Sequence, residues 1–246
     1  MILQAATMKT VVVLLALLAP SWVWAAAPTL GATAVSGAGT SDTNSQAYNG
    51  LTQHCGIVSL VVYQDIGTEA ISSITVTNES NMTLVGTPSR NTTSKWSAQV
   101  AYLADITTAG NKTILISLSG GFLRNSYAWH YEVCGSGSGL ALDGFGNTNG
   151  NTANPTVNVT TGSANSAIFA VLHNNTATPT AGSGYTGSNT AWFNYEAAEY
   201  KLNAGAANTY AANWTLAAAQ WTIAAAGFKA VSVGAEPSGF RRRVPQ

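Results

Sequence analysis

Charge is what this chain has least of. Lys and Arg number 10, Asp and Glu number 10, and together they make 8 % of 246 residues, against about a quarter in an ordinary soluble protein. With no basic surplus there is no patch to neutralise phosphates, which excludes an intracellular nucleic-acid binder. Cysteine is nearly absent too: Cys55 and Cys134 are the whole complement. No CxxC pair and no Cys/His ligand set can be drawn, so dithiol redox and structural zinc sites fall away. Three histidines, His54, His130 and His173, stand on separate stretches without HExxH spacing. Gly135-Ser136-Gly137-Ser138-Gly139 puts glycine where a nucleophile elbow needs serine.

Long apolar runs are missing with one exception. Lys9 precedes an uninterrupted apolar run over residues 11–19, then come Pro20-Ser21 and Trp22-Val23-Trp24-Ala25. One positive charge, a short apolar core and small residues at a cleavage point describe a secretory signal peptide over residues 1–25, cut after Ala25. The run is about half a bilayer span and Pro20 interrupts it, which argues against a retained anchor. In a secreted or extracellular chain an even cysteine pair reads as a disulfide, Cys55 to Cys134, with two buried free thiols as the alternative.

What the chain does have is apolar alternation. Hydrophobic residues are 46 %, enough to build a core and against disorder. Trp96, Ala98, Val100, Tyr102 and Ala104 fall on alternate positions, and so do Ile114, Ile116 and Leu118. Strand side chains alternate faces, so each stretch has one inward face. Gly110-Asn111 between them favours a turn, and the two segments read as paired central strands. Residues 71–85 read as a hairpin around Asn78-Glu79-Ser80-Asn81, and residues 57–63, 127–133, 156–160, 166–172, 191–201, 209–216 and 220–229 as further strands. Residues 134–154 and 174–189 read as long polar loops. The Ala-rich 217–226 stretch tests the all-β reading, since Ala favours helix, but Trp221, Ile223 and Phe228 keep no helical stripe.

About ten strands and no helix after the signal predict an antiparallel two-sheet sandwich of jelly-roll kind. The expected organisation is a signal peptide at 1–25, a leader or weak first strand at 26–50, one β-sandwich domain at 51–232 and a mobile tail at 233–246. Two stretches carry a resemblance: Ser72-Ser73-Ile74-Thr75-Val76 with its return strand, and Asn213-Trp214-Thr215-Leu216 followed by Trp221-Thr222-Ile223-Ala224-Ala225-Ala226-Gly227-Phe228-Lys229. In this order the chain resembles, over residues 51–230, a loose group of secreted bacterial and phage-associated jelly-roll β-sandwich domains of uncharacterised function, some from virion or tail-like proteins. The chain departs from the group in its polar turn at 78–81 and in its cysteine pair. The resemblance implies an exported structural or adhesive domain and brings no catalytic residues with it.

Glycoside hydrolysis needs two facing carboxylates. The candidates are Asp65, Glu69, Asp105, Glu132, Asp143, Glu196 and Glu199, of which Glu196 and Glu199 are three apart and face opposite sides of a strand. Asp143-Gly144-Phe145-Gly146-Asn147-Thr148-Asn149-Gly150-Asn151 is a poor calcium loop because it offers one carboxylate. Tyr185, Trp192 and Tyr195 lie near one loop end, and such rings can stack on sugars. The first expectation is therefore a non-enzymatic structural or adhesive domain on a cell surface, in a matrix or on a virion. A carbohydrate-binding module using Tyr185, Trp192 and Tyr195 is the alternative, and a glycoside hydrolase a distant one. No cofactor or metal is expected. The expected partners are a glycan or cell-surface ligand, or further copies and other surface or virion proteins, with no nucleic acid and no stable membrane insertion after signal cleavage.

Overall fold

A computed structural model describes residues 27–39, 43–65, 67, 69–119, 125–135, 139–176, 178–189 and 195–231. The signal peptide, the tail and Trp192 lie outside them. Among the described residues there is no helix, and sixteen strands pair antiparallel in four sheets. The expectation of about ten strands in two sheets is corrected on both counts.

The first eight strands are β1 (Thr29–Gly39), β2 (Thr43–Leu51), β3 (Gly56–Gln64), β4 (Ile71–Val76), β5 (Thr83–Asn91), β6 (Trp96–Leu103), β7 (Gly110–Leu118) and β8 (Ser126–Cys134). They form a five-stranded sheet ordered β1-β8-β3-β6-β5 and a three-stranded sheet ordered β2-β7-β4. The second eight are β9 (Leu140–Gly150), β10 (Thr156–Thr160), β11 (Ala167–Asn174), β12 (Thr180–Ala181), β13 (Thr186–Asn189), β14 (Glu196–Lys201), β15 (Thr209–Thr215) and β16 (Trp221–Ala230). Their sheets run β13-β14-β11-β16-β9 and β10-β15-β12. Adding eight to each label of the first half reproduces the second. The chain is one two-sheet sandwich followed by another of the same strand order.

Alternation explains how the four sheets stack. On β3, Val58, Leu60 and Val62 point one way while Ile57, Val61 and Tyr63 point the other, and all six are buried. Both faces of the sheet are therefore covered, as expected where apolar residues occupy successive positions. The first set joins Tyr127, Trp129 and Tyr131 of β8 and Phe169, Val171, Ala226 and Phe228 of the second half in a central core. The second set packs under β2, β4 and β7. On β11, Ile168, Ala170 and Leu172 face a third core with Val159, Trp214 and Ile223. The layers thus run three, five, five and three strands, with the two large sheets face to face.

This layering changes two pairings expected from sequence. The segments 96–104 and 113–119 are not neighbours: β6 pairs with β3 and β5, and β7 with β2 and β4. The 71–85 hairpin is likewise replaced, because β4 and β5 lie in different sheets. In both cases the connector crosses from one sheet to the other, and local alternation carries no record of which sheet a strand joins.

The seam between the halves is tight along one side. Asn147 Nδ2 donates to Thr87 O, Ser89 Oγ to Thr148 O and Thr222 Oγ1 to Ser89 O, the last at 2.9 Å. Cys55 and Cys134 are bonded, with Cα atoms 4.4 Å apart, pinning the start of β3 to the end of its neighbour β8.

Candidate functional site

Polarity enters the central core at one end. β11 is buried at every position, and its inward series Ala167, Phe169, Val171 ends at His173. On β14 the inward series Tyr200, Ala198 ends at Glu196, which is paired across the strands with His173. Paired residues of adjacent strands share a face about 5 Å apart. That register brings His173 Nδ1 to 3.0 Å from Glu196 Oε1, with both residues almost wholly buried. Trp96, the first residue of β6, comes from the facing sheet and stacks on the imidazole at 4.1 Å between centroids and 16° between planes. Tyr127 of β8 stacks behind Trp96 at 6.1 Å.

These four residues, with Asn125, Asn175 and Tyr195, line a cleft of about 240 Å³ at the seam of the two halves. Tyr195 is an exposed wall, at 37 %. Burial holds His173 below the ordinary histidine pKa, against the opposing hydrogen bond and charge of Glu196, so the ring is neutral at neutral pH. A carboxylate only accepts, so Nδ1 carries the proton and Nε2 a bare lone pair. His173 Nε2 and Glu196 Oε2 are both buried without a hydrogen-bond partner among the described residues. Burial raises the Tyr127 phenol well above its usual pKa, and the Glu196 charge adds to that. The described lining contains no serine, threonine or cysteine, so the dyad faces no side-chain nucleophile there. What the arrangement offers is two hydrogen-bond acceptors beside aromatic rings.

The three aromatic residues expected to form a sugar platform fare differently. Tyr195 is on the cleft rim. Tyr185 is half-buried against the outer core at the other end of β14, with Lys201 Nζ 5.6 Å from its ring centroid. Six residues of extended chain separate the two ends, about 20 Å, so Tyr185 and Tyr195 share no platform. Trp192 lies outside the described residues.

The other candidates hold structure together. His130 is buried on β8 and its Nδ1 is 2.7 Å from Ser59 Oγ; burial pulls its pKa down to about 3. Glu132 accepts from the backbone N–H of Ala32 and Thr52. Asp65 binds Gly67 N, Ser97 Oγ and Arg90 Nε. Asp143 accepts from Ser163 and Ser166. Glu196 and Glu199 do face opposite sides: Glu199 accepts from Gly182 N and Asn213 N, toward the outer sheet. Cys55, Glu132 and Cys134 lie within ligand distance of one another, but both sulfurs are engaged in the disulfide.

Trp96 and His173 were not legible as partners, because they come from different halves. The available signal was a titratable residue on the inward register of an otherwise apolar strand, met twice, at His173 and Glu196. No protein-family model, curated protein or solved structure matches this chain.

Proposed function

We propose that this chain is an exported, non-enzymatic structural or adhesive domain of cell-surface, matrix or virion type, built as two jelly-roll sandwiches in tandem. The observation that supports this reading is the use made of the few charged groups. Glu132 fastens residues of β1 and the β2–β3 turn, Glu199 fastens β12 to β15, and Asp143 fastens the turn before β11. Each carboxylate is committed to backbone or hydroxyl donors that fix a loop. The surface left over is mostly small, uncharged and polar, as suits a domain that packs side by side with others. The expected partners remain a surface ligand, further copies, or other surface or virion proteins. No described helix is long and apolar enough to cross a membrane, and the disulfide fits an oxidising compartment.

The test compares export, stability and surface association. The mature protein is expected to begin after Ala25, and to associate with cells or particles as strongly in the H130A and E132Q variants as in the wild type, while their melting temperatures fall. Loss of association at unchanged stability, or a catalytic turnover abolished by those changes, refutes the reading.

A further inference from the structure

We infer that the cleft between the two large sheets binds a single neutral pyranose ring, held by Glu196, His173 and Tyr195. The inference concerns a different set of residues from the loop-fixing carboxylates, and it stands whether the domain builds a surface or adheres to one.

The cleft holds two orphan acceptors. Glu196 Oε2 and His173 Nε2 are buried without partners among the described residues, and a buried polar atom left unpaired costs about 1–3 kcal/mol. Both belong to side chains that line the cleft. Because Nδ1–H is committed to Glu196 Oε1, neither orphan can donate. An occupant that satisfies them must bring hydrogen-bond donors. An anion fails, since it would face a carboxylate and a bare lone pair. A purely apolar occupant leaves both acceptors dry. A polyol brings several hydroxyl donors on a compact frame, and a pyranose adds an apolar C–H face that matches an aromatic wall.

Size and position narrow this further. Sites for drug-sized ligands run about 300–1,000 Å³, so a cleft of about 240 Å³ takes one ring. Tyr195 at the rim keeps more than a third of its surface exposed and offers the open wall, while Trp96 is held between His173 and Tyr127 and serves as a rigid floor. Asn125 adds an amide that can both donate and accept. The Asn175 amide is already exchanged with Gln220, so its role is to fix the loop.

The experiment uses the full mature chain and a panel of methyl glucoside, methyl galactoside, methyl mannoside and N-acetylglucosamine, read by saturation-transfer NMR and calorimetry. At least one is expected to bind with a dissociation constant on the order of 1 mM, the range open to so small a ligand. Glu196→Gln and Tyr195→Ala should each weaken it tenfold or more, and Tyr185→Ala should leave it within twofold. Tyr195→Ala removes a half-exposed ring, so it reports on binding even if Glu196→Gln compromises folding. Failure of the whole panel, binding indifferent to Tyr195, or a methylammonium probe binding in place of the sugars overturns the inference. Sugar binding that persists in a protein that never associates with surfaces counts against the adhesive form of the proposed function, not against the site.

Discussion

Glu79 offers the sharpest test of how so few charges hold the molecule. It sits in the polar turn after β4, and five donors converge on it. Oε1 accepts from Thr108 N and Thr108 Oγ1, both at 3.1 Å, and from Lys112 Nζ at 2.8 Å. Oε2 accepts from Thr107 N at 3.0 Å and Thr107 Oγ1 at 2.6 Å. One side chain thereby ties the β4–β5 turn to the β6–β7 connector. Burial alone would raise its pKa, but the ammonium and the threonine donors outweigh that and bring it from 4.5 to about 2. The folded state binds the proton more weakly than the unfolded chain, so the group stabilises the fold above pH 4.5. That contribution is lost as pH falls toward 2. The full shift corresponds to about 3 kcal/mol. The Glu79 and Lys112 side chains are enclosed beneath the turn; a glutamine there would keep one acceptor oxygen, so about 1.5–2 kcal/mol of this is the part open to loss on substitution.

The perturbation is Glu79→Gln. Glutamine keeps one acceptor oxygen but turns an NH₂ toward Thr108 N–H and the Lys112 ammonium. At pH 7 the variant should lose about 1.5–2 kcal/mol, a fall of roughly 3–8 °C in Tm for a chain of this size. Urea unfolding of both proteins from pH 7 to pH 2 is the assay. The two stability curves should converge through pH 4.5 to 2, since the wild type is then protonated to the same neutral form. Curves that stay parallel over that window refute the assignment of the depressed pKa to Glu79.

Glu199 should show the opposite slope. Burial raises its pKa to about 7, against the two backbone N–H donors, so its contribution is greatest below pH 4.5 and is lost as pH rises through 7; Glu199→Gln should flatten that part of the urea-midpoint curve. Replacing both Cys55 and Cys134 by alanine opens a loop with a sequence separation of 79 residues and should cost about 4 kcal/mol, measured by urea unfolding under non-reducing conditions. Gly146→Ala should destabilise by more than an exposed strand substitution does, because the new Cβ would sit 2.2 Å from Asn158 O; a melting temperature equal to wild type would show that β9 does not press on β10 as described.

Gly146 also shows why the strand count fell short. Residues 140–150 carry no apolar alternation and read as a loop, yet they form β9, the edge strand paired along all of β16. The glycines are there for clearance. A Cβ at Gly144 would meet Thr160 O at 2.0 Å, and one at Gly150 would meet the Trp221 ring at 2.5 Å. A strand that lies against backbone on one side has no use for side chains there, so its composition imitates a turn. The strands that were legible, such as residues 57–63 and 166–172, are those buried on both faces, where an unbroken β-branched run announces itself. Sheet membership was not legible at all. In this winding most successive strands change sheets, as β4 to β5 and β6 to β7 do, while β5 to β6 and β13 to β14 do not, so proximity in sequence often predicts the wrong partner. The same holds for the cleft: each residue was readable as an inward position, but the meeting of Trp96 with His173 depends on how two separate sandwiches dock.

The docking itself follows from how the two halves differ. Their strand orders are the same, so β8 and β16 are counterparts. On its inward face β8 carries Tyr127, Trp129, Tyr131 and Val133, while β16 carries Ala224, Ala226 and Phe228. Small residues let β16 come close to β6 and β5, where side chains and backbone of the two halves exchange hydrogen bonds. On the other side the large rings of β8 meet β14 through Tyr131 and Tyr200, with centroids 5.5 Å apart. The first residues of β6 and β14 occupy corresponding places in the repeat, and they are Trp96 and Glu196. Two identical apolar residues at those places would extend the core and close the end of the seam. A ring in one half and a carboxylate in the other instead leave a stacked, polar-walled opening. The candidate site therefore lies where two halves of the same strand order carry different residues at corresponding places, and substitution of Glu196 by a residue that fills the cleft should remove the opening while leaving the sixteen described strands in place.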